Sequence, residues 1–190
     1  RVLWDQSLPG MSPAERGALY EEMNRVIAAL HSVDFRALGR ADYGKPGNYF
    51  ERQIARWSKQ YLASATQPIP AMDRLIDWLP AHIPDSARDE AEVAIVHGDF
   101  RLDNLMFHPS EPRVLAVLDW ELSTLGHPLA DFSYHCMAWH IPPGSFRGIG
   151  GVDLASLGIP SEQDYIRRYC ARTGLATPEQ LAPDWNFYLA

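Results

Sequence analysis

The sequence predicts a mainly helical α+β domain with one β-hairpin, and three observations lead to this class. Several segments repeat apolar residues at helical spacing and begin with capping residues. Two short apolar runs, residues 93–96 and 114–118, are typical of strands. Between them lie a polar loop, the apolar residues 105–107 and a turn at residues 108–112, so residues 105–107 and 114–118 are predicted to form the hairpin. The 190 residues are 46% hydrophobic and 22% charged, a length and composition that suit one domain with a sizeable core.

The first predicted helix begins after Ser12 and extends to about His31. Ser12 suits the N-cap, Pro13 suits the first helical position, and Glu15 closes a capping box. Apolar residues then recur at helical spacing, which indicates core packing rather than a cofactor site. They are Leu19, Met23, Val26, Ile27 and Leu30.

Two more helices are predicted before the hairpin, over residues 49–63 and 71–79. Pro80 and Pro84 are expected to bound the second of them. Three are predicted after it. They cover residues 128–140, residues 161–173, and a segment that begins at the capping box of residues 177–180 and continues toward the end of the sequence.

The segment between the first two of these later helices is rich in glycine. Residues 142–159 contain five glycines. Gly148 to Gly151 superficially resembles a phosphate-binding loop, but no strand precedes it and no helix follows at once. The segment is therefore predicted to be a flexible loop.

The loop before the predicted hairpin and the end of its second strand carry the polar residues that suggest catalysis. His97 and Asp99 follow the first apolar run, and Asn104 comes five residues after Asp99. Asp119 ends the second run, fifteen residues after Asn104. A carboxylate can orient a hydroxyl nucleophile and accept its proton, whereas an Asn carbonyl and an Asp carboxylate suit Mg²⁺. Because protein kinases combine these groups at this spacing, we predict Asp99 as the catalytic residue and Asn104 and Asp119 as metal ligands.

Residues 96–134 resemble the aminoglycoside phosphotransferase-like kinases, also called the choline/aminoglycoside kinase group. Residues 1–4, 43–49 and 125–128 extend the resemblance to the branch related to the kinase-like domain of acyl-CoA dehydrogenase fusions. The resemblance implies the large, C-terminal lobe of a protein-kinase-like fold, with ATP as co-substrate and Mg²⁺ as cofactor.

The resemblance also implies that His97 and Asp131 support the catalytic loop structurally. By likeness to the family, Asp131 would accept hydrogen bonds from the loop backbone. Alternatively, it is an acid in the first turn of a helix that interacts with the helix dipole, and the sequence leaves both possibilities open. Asp103, in the same motif, is predicted to be an ordinary turn residue.

Parts of the family pattern are not found in this sequence. No glycine-rich phosphate loop precedes His97, and neither Lys45 nor Lys59 lies in a strand that could present it to ATP. Family members carry an N-terminal lobe with the ATP-gripping Lys, and further C-terminal helices. We therefore expect residues 1–190 to be a C-terminal lobe without these parts, and to have little kinase activity alone.

The expected function is ATP- and Mg²⁺-dependent phosphoryl transfer to the hydroxyl of a small molecule. Gly98 stands where protein kinases have the Arg that usually reads an activation-loop phosphate. Only eleven residues separate Asp119 from Asp131, which is too few for a long activation segment. Both features favour a small acceptor, for which a hydroxyacyl-CoA and an aminoglycoside-like compound are the candidates.

Two other functions stay open: a catalytically incompetent nucleotide-binding or scaffold module, and metal-dependent hydrolysis by the same carboxylates. The residues that would bind the acceptor are not predicted. Three arginines of one predicted helix could meet an anionic tail, although a solvated helix face is the simpler interpretation. They are Arg167, Arg168 and Arg172.

Composition narrows the possible partners. The net charge of -7 and the pI of about 5.4 disfavour a nucleic-acid surface. Cys136 and Cys170 form no C-x-x-C pair, which indicates neither zinc nor a disulfide framework and fits a reducing cytoplasm. No run of 18 apolar residues and no signal peptide are found, so no membrane association is expected. The oligomeric state is not predicted.

Overall fold

Helices make up most of the regular structure in the computed structural model, which describes residues 1–45, 47–88 and 92–190. Three helices precede the first strand: α1 (Pro13–His31), α2 (Tyr49–Ser64) and α3 (Pro70–Ala81). Next come four short strands: β1 (Ala94–Val96), β2 (Leu105–Phe107), β3 (Val114–Val117) and β4 (Thr124–Gly126). The remaining helices are α4 (Pro128–Cys136), α5 (Leu154–Leu157), α6 (Glu162–Thr173), α7 (Pro178–Leu181) and α8 (Trp185–Leu189).

The core forms where α1, α4 and α6 pack together. Tyr20, Met23 and Ile27 of α1 are fully buried, and this helix packs along α6. Phe132 of α4 stacks on Tyr169 of α6 with 3.8 Å between the ring centroids. Burial of these large side chains is the main stabilising contribution, roughly 1.5–3 kcal/mol for each large apolar side chain. The helical layer therefore forms a rigid support for the short strands.

Local capping signals place two of the main helices as predicted. The Ser12 hydroxyl accepts the Glu15 N–H, and the Glu15 carboxylate accepts the Ser12 N–H at 2.8 Å, so the capping box is formed. Ser161 caps α6, and Gly174 ends it with a left-handed backbone at φ 67°. The boundaries of α1 and α6 are therefore confirmed.

Other helix boundaries differ from the prediction. Helix α3 ends at Ala81, two residues after the predicted end and between Pro80 and Pro84, the two prolines expected to bound it. Helix α4 ends at Cys136, and a 3-10 turn, Met137–Trp139, follows it. The segment predicted as one final helix forms α7 and α8 instead. The unpredicted helix α5 lies within the glycine-rich residues 142–159.

The strands form two antiparallel pairs. β2 and β3 make the predicted hairpin. β1 pairs with β4, which was not predicted, and Val96 lies opposite Thr124. β4 follows Asp119 in the chain, so this pairing sets the segment after Asp119 beside the strand that leads to Asp99. The two candidate site carboxylates thus belong to neighbouring loops.

The cysteines are buried free thiols. Burial raises the pKa of Cys136 well above its ordinary value and that of Cys170 to about 11. Neither thiol is therefore a reactive nucleophile near neutral pH. No helix in the described part of the chain is long and apolar enough to cross a membrane.

Candidate active site

The loop that follows β1, residues 97–104, carries most of the candidate site and is called the HGD loop here. Gly98 has φ +83°, and a Cβ at this position would lie 2.8 Å from the backbone oxygen of Leu122. A side chain would therefore meet both an unfavourable backbone conformation and a steric clash. Glycine at this position allows the HGD loop to approach the segment after β3 closely.

Asp131 holds the start of the HGD loop from within the core. Its carboxylate oxygens accept the N–H of His97 at 2.6 Å and the N–H of Gly98 at 2.9 Å. His31 lies on the same carboxylate, with Nε2 at 3.2 Å, and its Nδ1 contacts the Tyr169 hydroxyl at 2.7 Å. Burial raises the pKa of Asp131, but His31 and the two N–H groups lower it by more, so the pKa lies below its ordinary value. Asp131 thus stays ionised and ties α1 and α4 to the loop.

Both oxygens of the Asp99 carboxylate are held by neighbouring side chains. Oδ1 accepts the Tyr134 hydroxyl at 2.7 Å, and Oδ2 accepts the Asn104 amide at 3.0 Å. The same Asn104 amide nitrogen donates to the Asp99 backbone oxygen at 2.8 Å. Burial and the bond to Asp99 raise the pKa of the Tyr134 hydroxyl, so Tyr134 remains a donor near neutral pH. The structure therefore brings Asp99 and Asn104 into direct contact and orients the carboxylate.

Leu118 links the end of β3 to the HGD loop. Its N–H donates to the Asn104 backbone oxygen at 2.8 Å, and its oxygen accepts from His97 Nε2 at 2.8 Å. The Asp99 N–H reaches His97 Nδ1 at 3.3 Å. Hydrogen bonding therefore defines the tautomer of His97, with the proton on Nε2. Through these bonds, His97 fixes the loop relative to the residue that precedes Asp119.

Asp119 has a left-handed backbone, φ 65° and ψ 61°, at the entrance to a 3-10 turn. Asp tolerates this conformation better than most residues. Among the described residues, its side chain makes no hydrogen bond or ion pair, and the Asn104 amide oxygen accepts none. Two uncommitted hard oxygen donors on adjoining loops fit Mg²⁺, which uses one or two protein ligands plus phosphates and waters. The described residues contain no larger group of His, Cys, Asp and Glu that could hold a metal.

A cleft of about 130 Å³ opens beside Asp99. Tyr134 lines it and contacts Asp99 directly, and Arg101 lies with Nε 3.1 Å from Asp99 Oδ1. Asp103 lies in this cleft and pairs with Arg101 and with Arg147, so it is more than the turn residue that the sequence predicted. A second cavity, of about 180 Å³, lies on the other side of Tyr134 and reaches the HGD loop.

Several of these residues were missed at the level of sequence. Tyr134 lies three positions after Asp131 on α4, and Arg101 lies inside the motif, so both positions carried a weak signal. His31 and Arg147 are remote in sequence and carried none. The three arginines considered for an anionic tail bind other residues of α1 and α6 and do not line the cleft. They are Arg167, Arg168 and Arg172.

A family model and several curated proteins match this chain over nearly all of its length. A family model described as the phosphotransferase enzyme family matches residues 1–183. Acyl-CoA dehydrogenase family member 10 of Mus musculus is 50% identical over 189 residues, which are 98% of this chain and 17% of that protein. Family member 11 of Homo sapiens is 43% identical over 190 residues, with 100% of this chain and 24% of that protein covered. The chain thus spans less than a quarter of the length of these relatives.

Solved structures show the same fold. A Ralstonia eutropha protein predicted to be an aminoglycoside phosphotransferase is 68% identical, with a TM-score of 0.91 over 100% of this chain and 56% of that one. An aminoglycoside phosphotransferase of Streptomyces rimosus, in complex with ADP and streptomycin, has a TM-score of 0.60 and 16% identity over 95% of this chain and 65% of that one. The predicted mainly helical, kinase-like α+β fold with its hairpin is therefore confirmed.

Proposed function

Since the chain belongs to the phosphotransferase enzyme family, we propose that it forms the large lobe of an enzyme that transfers the γ-phosphoryl group of ATP to a hydroxyl of a small molecule. The observation that carries this proposal is the arrangement of Asp99. Its carboxylate is held by Tyr134, which lines an open cleft, and by Asn104, whose amide oxygen is uncommitted.

Asp99 orients the acceptor hydroxyl and accepts its proton late in the transfer. The carboxylate is free to do this because each oxygen keeps a second lone pair beyond its bond to Tyr134 or Asn104. Phosphoryl transfer depends mostly on positioning and electrostatics, so a carboxylate fixed on both oxygens suits the role. A general base of this kind contributes roughly 10² to 10⁴ in rate.

Asn104 Oδ1 and the Asp119 carboxylate would hold Mg²⁺. An ion held there would supply positive charge that stabilises the phosphates during transfer. The chain's part is to fix the two donors relative to each other. The bond from the Leu118 N–H to the Asn104 oxygen, and the bond from His97 to Leu118, do this across the two loops.

The proposal includes ATP as the phosphoryl donor and a second lobe that binds its phosphates. One structural relative is described in complex with ADP, which supports an adenine nucleotide as phosphoryl donor. The sequence from residue 1 to His97 holds no glycine-rich phosphate loop, so we propose that a further lobe of the natural protein grips the phosphates. The catalytically incompetent nucleotide-binding module is the alternative function. A cytoplasmic location is part of the proposal as well and rests on the two free thiols.

The test is phosphoryl transfer from [γ-³²P]ATP by the full-length natural protein that contains these residues, with and without Mg²⁺. We expect Mg²⁺-dependent transfer to a hydroxyl compound. The isolated 190-residue chain, assayed in parallel, should show little turnover. Binding of Mg²⁺-ATP without transfer to any acceptor would favour the nucleotide-binding module. Turnover by the isolated chain would contradict the proposal that a further lobe is needed to bind the phosphates.

A further inference from the structure

We propose that Arg147 selects the acceptor by its charge, holding a carboxylate or phosphate group of a small hydroxy compound whose hydroxyl faces Asp99. This inference rests on the proposed phosphoryl transfer and adds the substrate class. The sequence pointed to other arginines for this purpose, and the structure pairs those with residues outside the cleft.

The cleft that contains Arg147 adjoins the reacting carboxylate. Tyr134 lines the cleft and donates to Asp99 at 2.7 Å. Arg101 also lines it, with Nε 3.1 Å from Asp99 Oδ1. A compound seated between these side chains would therefore present its hydroxyl to Asp99 and its other end to the outer part of the cleft, where Arg147 lies.

Arg147 is the guanidinium of the cleft that has no ion pair with Asp99. Arg101 lies 3.1 Å from Asp99, and Asp103 pairs with both arginines, so two carboxylates balance two guanidinium groups. Burial lowers the pKa of His135 to about 4, so that side chain is neutral near pH 7. The Arg147 side chain is 45% exposed, so it is the arginine that an anionic group can reach.

The arginines also have hydrogen-bonding capacity to spare. Each guanidinium carries five N–H donors, and Asp103 contacts one nitrogen of Arg101 and one of Arg147. Arg101 Nε is buried without a hydrogen-bond partner among the described residues. It is close to Asp99, but the direction of its N–H does not suit a hydrogen bond. The Arg147 guanidinium, which lines the cleft and contacts Asp103 through one nitrogen, keeps donors that an anion can use.

The backbone that presents Arg147 is held in an unfavourable conformation. Phe146 and Arg147 both have left-handed backbones, with φ 47° and φ 63°. Residues with side chains are strained in this conformation and persist there only where the surroundings enforce it. The enforcement is visible next to them: the buried Ile149 donates its N–H to the Ala138 oxygen at 2.7 Å. This strain points to a functional placement of the Arg147 side chain.

Two aromatic rings flank the arginines at the cleft mouth. The Arg147 guanidinium carbon lies 4.7 Å from the Trp4 ring centroid, and that of Arg101 lies 5.9 Å from the Phe146 ring centroid. Trp4 is 60% exposed and Phe146 is 71% exposed, so both present apolar surface to an incoming ligand. A guanidinium beside an aromatic ring gains cation–π attraction without using its N–H donors, which stay available to an anion.

The experiment uses the full-length natural protein with acceptors that differ in charge. The matched pairs are 3-hydroxybutyrate with 3-hydroxybutyramide, and glycerol 3-phosphate with glycerol, and kanamycin is the cationic acceptor. Transfer from [γ-³²P]ATP gives kcat and KM, and isothermal titration gives binding of each compound without turnover. We expect at least one anionic member to bind and react at least tenfold better, by KM, than its neutral partner. Comparison of the two pairs shows whether the recognised group is a carboxylate or a phosphate.

Arg147→Gln should raise the KM or Kd of the preferred anionic compound roughly ten- to a hundredfold, the loss expected for a charge-assisted hydrogen bond. The KM for ATP should stay within about twofold. Arg113→Gln is the matched control, because Arg113 also pairs with a single carboxylate, that of Glu111, but lies on the hairpin turn. It should change neither constant.

Three outcomes would overturn the inference: no anionic compound binds the wild-type protein, neutral or cationic acceptors are preferred, or Arg147→Gln weakens ATP instead of the acceptor. Failure of the proposed function gives a different pattern. In that case Mg²⁺-ATP does not bind or no phosphate is transferred, while the anionic compounds still bind in an Arg147-dependent manner.

Discussion

The imidazole of His31 lies 3.2 Å from the carboxylate of Asp131, although the two residues are one hundred positions apart in the chain. Both side chains are buried, and the carboxylate also accepts two N–H groups of the HGD loop. The long helix α1 is thereby connected to the loop that carries Asp99. The position of the candidate catalytic residue depends on core packing that is remote from it in sequence.

Asp131→Asn should destabilise the protein by about 2–4 kcal/mol, because one amide N–H would then face the N–H donors of the loop and leave buried groups unpaired. Urea unfolding followed by circular dichroism measures this. Asp164→Asn is the control, since Asp164 also lies in the first turn of a helix but is exposed and paired with Arg167. An equal, small effect of both substitutions would contradict the role of Asp131 as a clamp.

Asp99→Asn in the full-length protein should lower kcat by about 10² to 10⁴, equivalent to about 3–5 kcal/mol in the activation barrier, with little change in nucleotide affinity. Asp119→Asn should weaken Mg²⁺-ATP binding as well as turnover, because it removes a proposed metal ligand. Steady-state kinetics and nucleotide titration at varied Mg²⁺ separate the two effects. A near-normal kcat in Asp99→Asn would refute its role as the base. An equal loss of ATP binding in Asp99→Asn and Asp119→Asn would refute the assignment of metal binding to Asp119 and not to Asp99.

Gly98→Ala should destabilise the protein by more than the left-handed backbone alone would explain. Gly98 and Gly174 both have positive φ, but a Cβ at Gly98 would lie 2.8 Å from the Leu122 oxygen, whereas a Cβ at Gly174 meets nothing within 4 Å. Gly174→Ala therefore measures the backbone contribution, about 1 kcal/mol. We expect Gly98→Ala to cost at least about 1 kcal/mol more in thermal or denaturant unfolding. Equal losses would show that the close approach has no energetic consequence.

Acid should weaken the fold through His135. Burial lowers the pKa of His135 to about 4 in the folded protein, from an ordinary value of 6.5. The unfolded chain therefore binds a proton first as the pH falls, and stability is lost between pH 6.5 and about 4, by up to about 3 kcal/mol. The pKa of Asp131 is lowered as well, so its contribution is lost only below the ordinary carboxyl range of about 4.

His135→Gln isolates this effect, because Gln does not titrate and can still accept a hydrogen bond from the Tyr165 hydroxyl, as His135 Nε2 can. Denaturant unfolding at intervals from pH 7 to pH 4 should give a shallower pH dependence for the variant than for the wild type. Parallel curves for the two proteins would show that His135 does not cause the acid sensitivity.

Much of the candidate site follows from short-range sequence signals. The spacing of Asp99, Asn104 and Asp119 and the hairpin that joins them lie within 21 consecutive residues. Within that segment, alternation of apolar and polar residues and a turn suffice to predict strand, loop and strand. The starts of α1 and α6 were predictable for the same reason, since a capping box involves residues three positions apart.

The helix boundaries that the sequence misplaced also have physical causes. Helix α3 ends one residue after Pro80, and helix ends fray over one or two residues. The terminal segment breaks into α7 and α8 around Pro183, which lies between them and has no N–H with which to continue the first helix.

The sequence by itself determined the local chemistry: the residue types of the HGD loop, its glycine, and the acid at the end of β3. Only the tertiary structure decided which side chains complete them. The contacts of Tyr134 with Asp99, of His31 with Asp131 and of Arg147 with Asp103 each join separate parts of the chain. Local hydrogen bonds and periodicity act over a few residues, so a sequence pattern reveals them. Contacts between distant elements depend on how helices and loops pack into one core, and no short pattern encodes that.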